Sequence, residues 1–133
     1  QDLYNLVDRT TYEGEMAQTV ADLGISNIPF YGIARGFLSG KYRRGVTEVD
    51  SMRAAGALEY ATDKGYAIIA AMDQISEAHN NAPLSAIALG WLRAQPTVSA
   101  PIASARTVAQ LEEIVQIIEL SEAEIAQLNS VSA

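Results

Sequence analysis

Three short apolar stretches alternate with helix-patterned segments along this chain, and that alternation limits what it can fold into. Leu3-Tyr4-Asn5-Leu6-Val7, Ile25-Ser26-Asn27-Ile28-Pro29-Phe30-Tyr31 and Val98-Ser99-Ala100-Pro101-Ile102-Ala103 read as strands. Strand, helix and strand in succession favour parallel pairing, because parallel neighbours need a long crossover and the helix supplies it. Pro29 and Pro101 have no ladder donor, so each is expected near a strand start or an irregularity. The expected class is α/β, with about three parallel strands and about six helices in a single unit over residues 1–133. Three parallel strands leave two open edges, which suits a free-standing domain poorly. With Gln1 rather than Met in first place, the chain is expected to be one part of a larger sheet.

The helix signals are local. Thr10 followed by Glu13, Thr107 by Gln110 and Ser121 by Glu124 each have capping-box spacing. The first helix is expected to bury Met16, Val20 and Leu23 and to stop at Gly24. Asp50 or Ser51 is expected to open a helix running to Tyr60. Ile68, Met72 and Ile75 mark the next helix, up to about His79. Leu84, Ile87, Ala88, Trp91 and Leu92 mark another, with Pro83 suited to its first turn. Leu111, Ile114, Val115 and Ile118 form the stripe after Thr107, and Ile125 and Leu128 the short last one, while the tail Ser130–Ala133 is expected to fray.

Composition removes several function classes. The net charge of −7 and the absence of a Lys/Arg cluster argue against a nucleic-acid surface, which works by neutralising phosphates. No apolar run approaches the roughly 20 residues a membrane helix needs, and Gln1-Asp2-Leu3-Tyr4 carries no export signal. Zero cysteines remove disulfides, thiolate metal sites and Cys nucleophiles together. A soluble, cytoplasmic domain is the expectation, with no metal.

Two segments could carry chemistry. In Phe30-Tyr31-Gly32-Ile33-Ala34-Arg35-Gly36-Phe37-Leu38-Ser39-Gly40-Lys41-Tyr42, an aromatic pair precedes the only basic, glycine-rich stretch of the chain. A flat ring could stack on the aromatics and a pyrophosphate could meet the turn N–H groups, although neither the dinucleotide fingerprint nor the P-loop spacing is matched. A core aromatic followed by a surface loop reads the same residues. In Ile102-Ala103-Ser104-Ala105-Arg106-Thr107-Val108-Ala109-Gln110-Leu111-Glu112-Glu113, a strand end and an Arg precede a helix start, which suits an anion; a solvated Arg beside a helix start reads it equally well. His79 and Trp91 read as structural residues on their helices.

Together these segments resemble the aldo-keto reductase superfamily. Tyr4-Asn5-Leu6-Val7-Asp8-Arg9, Ile28-Pro29-Phe30-Tyr31, Arg35-Gly36-Phe37-Leu38-Ser39-Gly40-Lys41-Tyr42, Ala88-Leu89-Gly90-Trp91-Leu92 and Pro101-Ile102 through Glu113 occur in the order of that family's C-terminal portion. The resemblance implies strands six to eight of a (β/α)8 barrel that reduces aldehydes or ketones with NADPH. It also implies that Gln1 holds the nicotinamide carboxamide and Phe30 stacks on the ring, while Tyr31, Gly32, Ile33, Ala34 and Gly36 lie beside the pyrophosphate. Ser104 and Arg106 would reach the 2′-phosphate, and Gln110 and Glu113 the adenosine side. Gly32-Ile33 stands where many relatives have Pro-Leu, and Ile114 where they have an adenine-contacting Asn. The family's Asp, Tyr, Lys and His catalytic tetrad would lie outside this chain, so no catalytic residue is expected within it. The alternative is a non-catalytic half-barrel that binds nucleotide or a partner protein. The expected partners are a small carbonyl substrate and either the N-terminal part of the barrel or a second copy.

Overall fold

In the computed structural model, residues 1–46 and 54–133 are described. Within them the chain forms helices α1 (Glu15–Asp22), α2 (Ala54–Leu58), α3 (Asp63–Ala78), α4 (Leu84–Arg93), α5 (Val108–Ile114) and α6 (Glu122–Val131), with a 3₁₀ segment at Ala34–Ser39. The helix opening expected at Asp50 or Ser51 lies outside the described residues.

The three expected strands are not regular strands. Among the described residues, pairing is confined to two isolated parallel bridges, Leu3 with Phe30 and Asn27 with Val98. Both bridges are parallel, as expected, and residues 27–30 lie between the other two segments: Phe30 N donates to Asp2 O, Asn27 N to Thr97 O and Ile102 N to Pro29 O. The ladders stop early for local reasons. Asn5 Oδ1 accepts from both Val7 N (2.8 Å) and Asp8 N (2.9 Å), which curls residues 5–8 into a turn and ends the first segment. Pro29 and Pro101 offer no N–H to either neighbour.

The core lies beneath these segments and between helices. Leu84–Leu92 of α4 is buried throughout, so α4 is a central helix rather than a surface one. Trp91 is fully buried, packs its ring 5.3 Å from Tyr4, and donates from Nε1 to Asn129 Oδ1 of α6. Phe37 is fully buried with Tyr42, Tyr60 and Tyr66 rings around it at 6.0–6.2 Å, tying the 3₁₀ segment to α2 and α3.

Several helix expectations change. α1 begins at Glu15, not after Thr10, and its N-cap is Gly14 with no side-chain cap. Glu13 is drawn away from a capping role because Arg9 and the Tyr4 hydroxyl both bond its carboxylate. Of the expected α1 stripe only Val20 is buried; Met16 and Leu23 are exposed, because Tyr12 in the preceding turn takes the core position instead. Gly24 follows in the left-handed region, φ 63°, as a C-terminal stop requires. Pro83 is the N-cap of α4 rather than a residue of its first turn. At α5, Thr107 caps Gln110 N, but the Gln110 side chain accepts from Arg106 N, one residue beyond a reciprocal box. Leu111 and Val115 are exposed, so only Ile114 and Ile118 of that stripe pack on the core. Ser121 and Glu124 form the full reciprocal box that opens α6. The tail does not fray: α6 runs to Val131, Ser132 is fully buried, and Arg9 Nη1 donates to Asn129 O and Ser132 Oγ, each at 2.8 Å.

Candidate active site

The 3₁₀ segment begins with an uncommon backbone. Tyr31, Ala34 and Arg35 have φ of 54°, 47° and 55°, and Gly36 follows at 97°. A non-glycine residue in this region costs about 1–2 kcal/mol, so the surroundings must hold it there. The fully buried Asn5 does so in part: its Nδ2 donates to Tyr31 O at 3.1 Å, and the same carbonyl accepts Ala34 N at 2.7 Å. Gly32 presses the loop onto α4, since a Cβ there would lie 2.9 Å from Leu92 Cδ1 and 3.1 Å from Leu89 Cδ2.

The turn and the start of α5 face one cleft of about 230 Å³. It is lined by Ile33, Arg35, Gly36, Ser39 and Lys41 from the first segment, by Ser104, Arg106, Gln110, Glu113 and Ile114 from the second, and by Ser85 of α4. An adjoining cavity of about 160 Å³ is bordered by Phe30, Tyr31, Gly32, Ile102 and Ala103 and shares Ile33, Arg35 and Ser104 with the first. Phe30 and Tyr31 meet edge to face at 5.2 Å, both more than a third exposed. Arg35 stacks its guanidinium over Tyr31 at 5.1 Å and reaches Glu59 at 3.4 Å. Lys41 Nζ stands 3.8 Å from where a Gly36 Cβ would be, so the missing side chain keeps the ammonium close to the Gly36 backbone. Among the described residues, the lining sets three cations, Arg35, Lys41 and Arg106, against one carboxylate, Glu113, in a chain whose net charge is −7. This locally positive hollow suits an anion with several oxygens.

Of the site residues expected from sequence, Ile33, Gly36, Ser104, Arg106, Gln110 and Glu113 line the main cleft, and Phe30, Tyr31 and Gly32 line its neighbour. Ala34 is fully buried beneath the turn, and the exposed Gln1 borders neither cavity. Gln110 also has a structural task, since its Oε1 accepts Arg106 N at 2.9 Å and sets the turn that presents Arg106. Arg35, Ser39, Lys41 and Ser85 join the lining without having been singled out as ligand contacts. Arg35 and Lys41 carried a signal, being part of the only basic loop. Ser85 carried a fainter one: a polar residue inside a helix that is otherwise apolar from Leu84 to Leu92.

Away from this cleft, several polar groups are tied down in pairs. Tyr60 donates to Asp8 Oδ2 at 2.7 Å, and burial, with that carboxylate beside it, pushes its phenol pKa up. Burial and Glu13 do the same to Tyr4. His79 caps α3 and bonds Glu124 at 2.8 Å.

The family model described as aldo/keto reductase family matches residues 1–133. The chain belongs to the aldo/keto reductase family. It is 34% identical, over all of its length and 36% of the relative, to an aldo-keto reductase of Fusarium vanettenii. It is 26% identical, over 97% of its length, to L-glyceraldehyde 3-phosphate reductase of Escherichia coli O157:H7, and 28% identical, over 91%, to the uncharacterized oxidoreductase YrpG of Bacillus subtilis. A thermostable aldo-keto reductase solved with the inhibitor epalrestat superposes with a TM-score of 0.67 at 22% identity, over 97% of this chain and 38% of that one, which shows a common fold. The chain spans 35–40% of the length of these curated relatives. Among the described residues, no helix is long and apolar enough to cross a membrane.

Proposed function

We propose that this chain is the NADPH-binding C-terminal part of an aldo-keto reductase that reduces aldehydes or ketones, completed by the remainder of a (β/α)8 barrel. The observation that carries the reading is the convergence of two segments, far apart in sequence, on one cationic cleft: residues 33–41 and residues 104–114. The lining fits the cofactor. Arg35, Lys41 and Arg106 can neutralise phosphates, the left-handed turn through Gly36 leaves close approach to its backbone, and Phe30 and Tyr31 offer aromatic faces next door. A volume of about 230 Å³ accommodates the phosphate-bearing end of a dinucleotide rather than the whole. NADPH supplies hydride when bound. The residues of this chain bind and orient it: Arg106 and Ser104 at the 2′-phosphate, Gln110 and Glu113 on the adenosine side, the turn 31–36 beside the pyrophosphate, Phe30 and Gln1 at the nicotinamide. Proton transfer to the carbonyl oxygen falls to a tetrad outside this chain.

The test is cofactor choice. NADPH and NADH differ by one phosphate, and Arg106 is the exposed cation beside a helix start. Replacing it removes a charge-assisted bond worth roughly 1.5–3 kcal/mol. Fluorescence titration of the intact enzyme and its Arg106→Ala variant is expected to show NADPH weakened about ten- to a hundredfold with NADH almost unmoved. Equal losses for the two cofactors would return Arg106 to a structural role.

A further inference from the structure

Four buried side-chain polar atoms among the described residues find no hydrogen-bond partner: Asn27 Nδ2, Arg35 Nε, the Tyr42 hydroxyl and Ser85 Oγ. Two of them, on Arg35 and Ser85, belong to residues lining the same cleft, which they reach from different elements. Ser85 is the more informative. It is 2% exposed, in the first turn of a helix whose residues 84–92 are all buried. Alanine would fill that place as well and is the better helix former. A serine inside a helix ordinarily repays its desolvation by donating to the carbonyl one turn back, and Ser85 makes no such bond. A buried hydroxyl left unpaired is costly, and it is tolerated where a partner comes from outside the chain. The end of α4 that carries Ser85 is also uncapped by any side chain, because its N-cap is Pro83, so its positive dipole end is not offset there.

We propose that Ser85 is a further binding residue of the cleft, its Oγ donating a hydrogen bond to a phosphate oxygen of the bound nucleotide. It would bring a third element, α4, to a site otherwise built from residues 30–41 and 102–114. A phosphate is the acceptor because, among the described residues, the charged neighbours of Ser85 in the lining are the cations Arg35, Lys41 and Arg106 and the single carboxylate Glu113. The proposal rests on the nucleotide reading above.

The test uses the intact protein, wild type and Ser85→Ala, titrated calorimetrically with NADPH, ADP and adenosine 2′-monophosphate, and melted without ligand. The expected result is NADPH binding weakened about five- to fiftyfold. The same loss is expected for ADP if the acceptor is the 5′-diphosphate, or for the 2′-monophosphate if it is the other phosphate. Without ligand, the variant is expected to melt no lower than wild type, since no internal bond is lost. Unchanged affinity for all three probes would overturn the proposal, as would a lowered melting temperature with affinity loss spread evenly over them, which marks a packing role. Failure of the wild type to bind any probe would overturn the nucleotide reading and this proposal with it.

Discussion

Gly65 stands in the first turn of α3, and a Cβ added to it would lie 2.0 Å from the Tyr60 carbonyl oxygen and 3.1 Å from the Phe37 ring. Helix propensity alone would make Gly65→Ala stabilising by about 1 kcal/mol. The carbonyl is backbone and cannot step aside cheaply, so the sign reverses. A net loss of roughly 1–3 kcal/mol is expected, read as a lower denaturation midpoint in urea at unchanged slope. Asn5 makes a second case. Asn5→Ala would strand Val7 N and Asp8 N and leave Tyr31 O with Ala34 N alone, and is expected to cost about 2–4 kcal/mol in the same urea titration and to weaken NADPH by loosening the left-handed Tyr31. A loss of stability with cofactor affinity intact would show that Tyr31 keeps its conformation without Asn5. Neither role was legible in the sequence. Asn5 sits in an apolar run that reads as strand, and only its contact with Tyr31, 26 positions away, shows what its amide holds.

At the scale of elements, three cap signatures of similar spacing met three outcomes, decided by what else each side chain could reach. Glu13 had Arg9 and Tyr4 within reach and left Thr10. Gln110 reached past Thr107 to Arg106 N. Glu124 had Ser121 and, from α3, His79, both compatible with the box. The long, strongly periodic α3 and α4 were readable because their apolar stripes face a core on several sides. Short α1 and α5 were misread in facing because eight and seven residues leave the stripe little to specify. The strands failed on prolines and on Asn5, as side-chain and backbone donors were spent outside the ladders. The α6 box has a pH consequence. Burial alone would raise the Glu124 carboxyl, but bonds from Ser121 N, the Ser121 hydroxyl and His79 outweigh it and hold the group below the usual carboxylate range. A carboxyl that ionises more readily folded than unfolded contributes fully above roughly pH 4.3 and loses that contribution as pH falls further. Glu124→Gln is therefore expected to lower stability at neutral pH and to flatten the acid side of the stability profile below that point. Thermal melts across pH 3–7 check it, and an unaltered acid limb would count against the assignment.

For the whole molecule, exposed apolar side chains include Ile25, Ile28, Phe30 and Ile102 on the extended segments, Met16 and Leu23 at α1, and Val108, Leu111, Val115 and Ile117 at and after α5. The chain spans 35–40% of the length of the curated relatives it matches, and open apolar faces of this kind favour association. Expressed by itself, it is expected to self-associate in sedimentation runs; a monodisperse, cooperatively melting monomer would contradict this. It is also expected to show no NADPH oxidation with a panel of aldehydes, and turnover well above a buffer control would mean that proton transfer can be supplied from within residues 1–133. The family and the two cleft-lining segments were legible because their motifs are local strings. The cleft they share was not, because it depends on how α4 sets the distance between them.

The bonds from Arg9 to Asn129 and Ser132 join positions 120 and 123 residues apart. During synthesis nearly all of residues 10–132 must follow Arg9 before it can meet those acceptors, and Leu128 and the Trp91 partner Asn129 arrive equally late. Until then the Arg9 guanidinium and the α3–α4 surface wait open to water, so closure is a late event with a large loop already behind it. Nascent chains stalled at Gln127 are expected to be cleaved by protease throughout α3 and α4, and chains stalled far enough past Ala133 to clear the exit tunnel to resist.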